Sequence, residues 1–164
     1  WGPAPDPTAS SPEYAAPIAV SSPVIVSAAV FSADDSQSGA VANAAYLPVA
    51  DSGSGQVAHF TSQMPVIVLD DHGYGPLPDD GTKFPGWTYH FAPGADGLSH
   101  LDQPATLATP ISFGIHGNSS ASFPKKSFNL NLQTTAGKKL AEPLLDFSAS
   151  TDSDPKWELI SPWP

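Results

Sequence analysis

Residues 111–132, ISFGIHGNSSASFPKKSFNLNL, hold the side chains of this chain best suited to chemistry. Gly117, Asn118, Ser119 and Ser120, with Ser122 close behind, offer backbone N–H groups, an amide and hydroxyls of the kind that line an oxyanion such as phosphate. Lys125 and Lys126 follow and add two ammonium groups to the same short stretch. By pattern alone GNSS also fits an ordinary hairpin loop, and Asn118-Ser119-Ser120 matches a glycosylation acceptor. His116 fits a surface histidine at a strand end.

The flanks must position these groups. Ile111, Phe113 and Ile115 alternate with Ser112, Gly114 and His116, and Phe128, Leu130 and Leu132 alternate with Ser127, Asn129 and Asn131. A period of two predicts a pair of half-buried strands joined by the polar loop. Counting back from Phe128 puts Lys126 on the apolar face and Lys125 on the polar face with Ser127 and Asn129. A one-residue bulge would reverse that assignment. Both lysines also fit solvated charges beside a strand, as sheet edges commonly carry.

The remaining composition narrows the function classes. The chain has 16 acidic residues, six lysines and no arginine, for a formal net charge of −10. Nucleic acid is thereby excluded as an expected partner, because phosphate backbones are bound by concentrated Lys and Arg. The absence of cysteine removes disulfides, thiolate nucleophiles and Cys-based zinc sites. No apolar run is long enough to predict a membrane span. Thirteen glycines and 19 prolines beside 40% hydrophobic residues predict a loop-rich, predominantly β protein. The start at Trp1 without Met, and the end just after the strand-like WELI, lead us to expect a fragment of a longer protein.

Prolines 3, 5, 7, 12, 17 and 23 forbid a helix interior at the start and favour extended chain. Strands are then predicted at residues 24–31 (VIVSAAVF) and 41–47 (VANAAYL), separated by the turn DDSQSG. SPEYAAPIAVSSPVIVSAAVF followed by VANAAYL resembles the end of the small β-sandwich repeat at the C-terminus of chitobiases and in many secreted bacterial proteins. That assigns residues 1–50 to the end of such a repeat, with a linker at 51–56. Farther on, VIVL at 66–69 is continuously apolar and predicts a strand buried on both faces. WTYHF at 87–91 and WELI at 157–160 predict two more. Turns are expected at Asp80-Gly81 and Asp96-Gly97.

Taken together, MPVIVLD, HGNSSASFPKKSFNLNL, PLLDF and DPKWELISPW resemble, in order and spacing, the first part of the CotH family of secreted or spore-coat proteins. Members have an atypical protein-kinase-like fold, and the likeness covers residues 57–164. His116 departs from the family's arginine and Asp146 from its glycine. The resemblance implies a β-rich N-terminal part of an α+β kinase-like domain. It also implies that Lys126, or else Lys125, pairs with the phosphates of ATP, with Gly117, Asn118, Ser119 and Ser120 alongside. The parent would use ATP and a divalent cation, Mg or Mn, to phosphorylate serine on an extracellular or coat protein. The family's later aspartates, which hold metal and act on the hydroxyl, have no counterpart here, so the fragment alone is expected to be inactive and to bind no cofactor tightly. A secreted or cell-surface location follows from the same resemblance.

The rival expectation is a non-catalytic β module that binds carbohydrate or scaffolds a surface assembly, with Trp87 or Trp163 stacking on sugar rings. Asp70, Asp71, His72, Asp79 and Asp80 lack the spacing of an EF-hand loop. Asp71-His72-Gly73 imitates the kinase metal motif but precedes the lysines instead of following them, so it reads as a turn. Histidines 59, 90 and 100 show no metal-ligand spacing. No Gly-x-Ser-x-Gly, His-Glu-x-x-His or Walker motif occurs.

Overall fold

The computed structural model describes residues 6–21, 24–34, 39–49, 59–71, 73–117, 119–144 and 153–161. The predicted linker at 51–56, His72, Asn118, Asp146 and Trp163 lie outside them. The chain divides into two compact units, Trp1–Pro48 and Val49–Pro164. Both are built of strands, so the protein is predominantly β.

In the first unit β1 (Val24–Ala28) and β2 (Ala42–Tyr46) pair antiparallel, with Val26 opposite Ala44. β-Branched Val24, Ile25 and Val26 suit a pleated surface. Ser27 Oγ donates to Asn43 Oδ1 across the pair (2.5 Å). Tyr14, Ile18, Val30 and Tyr46 are exposed.

The second unit opens with β3 (Thr61–Ser62) and β4 (Val66–Asp70), followed by β5 (Phe84–Phe91), β6 (Ser99–His100), β7 (Leu107–His116), β8 (Ser127–Leu132) and β9 (Lys156–Leu159). β3 pairs with β6, and the other five form one antiparallel sheet in the order β4-β5-β7-β8-β9. Register places Ile111 opposite Leu132, Phe113 opposite Leu130 and Ile115 opposite Phe128. Ile111, Phe113, Leu130, Leu132 and Leu144 consequently meet as a fully buried cluster, against which Ile67, Leu69, Leu107, Phe128, Trp157 and Leu159 pack. The alternating pattern of residues 111–132 is thus the pattern of the core.

One expectation is corrected. VIVL was expected to be buried on both faces, yet β4 is half-buried throughout, because it lies at an end of the five-stranded sheet. The strand buried on both faces is its neighbour β5, flanked by β4 and β7. Trp87, Tyr89 and Phe91 are buried on one side of it, Thr88 and His90 on the other. β5 also requires glycine at Gly86, since a Cβ there would stand 2.4 Å from the Asp70 carbonyl oxygen and 2.7 Å from the Phe113 ring.

Among the described residues no helix is long and apolar enough to cross a membrane. The loop between β7 and β8 contains a 3₁₀ turn, Ser119–Ser122. A short 3₁₀ piece in a connector needs no amphipathic pattern, which is why strand periodicity did not reveal it.

Candidate functional site

One face of the five-stranded sheet forms an open groove of about 790 Å³. Its floor is apolar: Ile67 and Leu69 from β4, Phe113 and Ile115 from β7, Phe128 from β8 and Leu159 from β9. The segment after β4 forms a wall with Asp71, Gly75, Pro76 and Leu77, and Asp70 lies at the end of that strand. Among the described lining residues, the positive charge is carried by Lys126.

Lys126 reaches this position by strand periodicity. It immediately precedes β8, two residues before Phe128, so its side chain leaves the backbone on the side of the apolar floor. Lys125 is exposed and is not among the residues lining the groove. Between Lys125 and the rest of the polar face, Ser127 is buried and its Oγ accepts the Ser161 N–H (2.9 Å). No bulge interrupts the pairing from Ile111–Leu132 to His116–Ser127.

The Lys126 ammonium is held at two points. It donates to the carbonyl oxygen of Ala121, a residue of the 3₁₀ turn whose side chain is buried, and to Asp79 Oδ1 at 3.3 Å. The side chain of Lys126 is 29% exposed and that of Asp79 61%. An ammonium has three donors, so one remains for a ligand. The β7–β8 loop therefore fixes the lysine through a backbone carbonyl.

Gly117 follows β7 at φ 107°, a conformation that favours glycine, and is not among the residues lining the groove. The backbone of Ser119 and Ser120 forms the start of the 3₁₀ turn. At the end of β7, His116 is half-buried; its Nδ1 lies 2.9 Å from Asn129 Oδ1 and its Nε2 4.0 Å from Glu158 Oε2, on the polar face of the sheet.

The acidic segment after β4 serves local turns. Asp71 accepts the N–H groups of Gly73 and Gly75 on its two carboxylate oxygens (2.9 and 3.1 Å), and its carbonyl accepts the Tyr74 N–H. Asp80 accepts the Thr82 N–H at 2.8 Å, and hydrogen bonds from Thr82 hold its carboxyl below the usual range. Asp96 likewise caps Leu98 and sits 2.8 Å from His100 Nε2, which lowers its pKa. Among the described residues no group of three or more His, Asp or Glu side chains could hold a metal ion.

Of the tryptophans, Trp87 is 5% exposed and belongs to the core. Trp157 is half-buried, its indole N–H donating to the Asp154 carbonyl (2.7 Å). Neither forms an open stacking platform.

Asp79 is the participant that sequence reasoning missed. It was visible only as one of several neighbouring aspartates, and nothing local could tie it to a lysine 47 residues away. No protein-family model, no curated protein and no solved structure matches this chain.

Proposed function

We propose that the groove takes the phosphates of ATP against Lys126, and that the parent protein is CotH-like, transferring the γ-phosphoryl group to a serine hydroxyl of an extracellular or coat protein. The observation that carries this is the position of Lys126: a half-buried ammonium on the apolar face of a hairpin, fixed by a backbone carbonyl, with a donor to spare. A cation so placed offsets phosphate charge more effectively than a solvated one, because less water screens it. The apolar floor gives the rest of a nucleotide a surface to cover. The divalent cation implied by the resemblance finds no matching set of ligands among the described residues, so no step is routed through it.

The carbohydrate alternative loses support at Trp87, whose ring is in the core. The scaffold alternative would gain from both lysines facing bulk solvent, whereas Lys126 lines the groove.

The test is a titration of this chain with ATP, followed by a fluorescent nucleotide analogue. Lys126→Ala is expected to weaken binding about tenfold, the effect of losing one charge-assisted contact worth about 1.4 kcal/mol. Lys125→Ala is expected to leave it unchanged. Equal effects of the two substitutions, or none from either, would remove the proposal. Phosphotransfer to serine by this chain alone is expected to be undetectable.

A further inference from the structure

We propose that Asp79 is a resident counter-ion of Lys126 that competes with an incoming anion, so that it sets how strongly charged a ligand must be to occupy the groove. This rests on the phosphate-binding role of Lys126 and goes on to name what regulates that site.

Two adjacent aspartates in the β4–β5 connection have different partners. Asp80 is bound to its own turn through the Thr82 N–H. Asp79 instead reaches across to Lys126, at 3.3 Å. This distance is at the long end of a hydrogen bond, and the carboxylate is 61% exposed. The opposite contact is of another kind, since the Ala121 carbonyl belongs to a residue whose side chain is 2% exposed within the loop that carries the lysine. One partner therefore fixes the ammonium, and the other, at the solvent edge, can leave with little loss, because exposed ion pairs contribute little.

Displacing Asp79 with a second monoanion exchanges one unit of charge for another. A phosphate group with close to two negative charges gains on the exchange. Asp71 lines the same groove and raises the threshold further, since among the described lining residues Lys126 carries the one ammonium. The arrangement therefore discriminates by ligand charge, admitting polyphosphates and refusing carboxylates and other monoanions.

The test uses the whole chain and two probes, inorganic tripolyphosphate and acetate, with affinities read by calorimetry at fixed ionic strength. Asp79→Asn is expected to tighten tripolyphosphate binding about two- to fivefold, the range an exposed ion pair supports. It is also expected to make acetate binding detectable where the unaltered protein shows none. Adding Lys126→Ala to Asp79→Asn should abolish both gains. Weaker tripolyphosphate binding in Asp79→Asn would mean that the carboxylate orients the lysine, and would overturn the inference. Unchanged binding of both probes would overturn it too, while leaving the role of Lys126 intact. Indifference of tripolyphosphate to Lys126→Ala alone would instead defeat the phosphate-binding proposal itself. Melting temperatures of all variants separate these outcomes from misfolding.

Discussion

The β1–β2 hairpin and the β7–β8 hairpin are both antiparallel pairs rich in apolar residues, yet their outcomes differ. In the first unit no described residue is fully buried, and Val30 and Tyr14 are 78% and 73% exposed. In the second, Ile111, Leu130 and Leu132 are at 0%. The difference lies in the neighbours: β7–β8 is flanked by β5 and β9, whereas β1–β2 is a two-stranded sheet. Alternation produces a buried face only where further strands cover it, and an isolated hairpin is marginal in water. A lysine placed next to β1 or β2 would be one more solvated charge. Beside β8 it enters a groove.

Core truncation should separate the two regions most sharply. Leu130→Ala is expected to cost about 2–5 kcal/mol, as for other fully buried leucines, whereas Val26→Ala in the half-buried hairpin should cost at most about 1 kcal/mol. Denaturant unfolding checks both, followed by tryptophan fluorescence for the second unit, where Trp87 is the buried reporter, and by far-ultraviolet circular dichroism for the first. Similar costs would erase the distinction between the units. Next in size is Gly86→Ala, where backbone and ring atoms leave no space for a Cβ. A loss of about 1–3 kcal/mol is expected in the same assay.

The pH dependence sharpens the comparison further, since two groups perturbed by burial, Tyr89 and His90, lie in β5. Burial pushes His90 below the usual histidine range. The unfolded chain therefore takes up protons first, and stability should fall as pH drops below the unfolded value of about 6.5. At the other limit burial, helped by Asp70, raises Tyr89 to about 12. The unfolded chain then loses its proton first, so stability should decline as pH climbs from about 10 toward that value. Thermal melts across this range should show a plateau between the limits. His90→Phe and Tyr89→Phe should each flatten one limb.

Strand positions were legible where both faces had distinct chemistry. Ile111 to Ile115 and Phe128 to Leu132 announced their register, and the same count put Lys126 on the floor side. What alternation could not convey was lateral order. Val66 to Leu69 looks like an inner strand by composition and is an edge, while the strand buried on both faces is its neighbour β5, whose Thr88 and His90 disguise it. Long-range pairing was equally hidden. Lys126 with Asp79, and Lys83 Nζ with Asn131 Oδ1 at 3.1 Å, join residues nearly fifty positions apart.

The smallest expected stability effect falls on the site. Lys126→Ala should change unfolding free energy by no more than about 1 kcal/mol, because its ion pair with Asp79 is largely exposed. Its consequence should appear in binding, and a larger loss of stability would make Lys126 a structural residue.

The most direct measurement is an NMR titration of the isotopically labelled chain with ATP. The account predicts progressive shifts at the amides of Leu69, Ile115, Lys126 and Phe128, around the groove, with the β1–β2 hairpin unaffected, and their disappearance in Lys126→Ala. Shifts on the polar face around Asn129 and Asn131, or shifts that persist without the Lys126 ammonium, would contradict it.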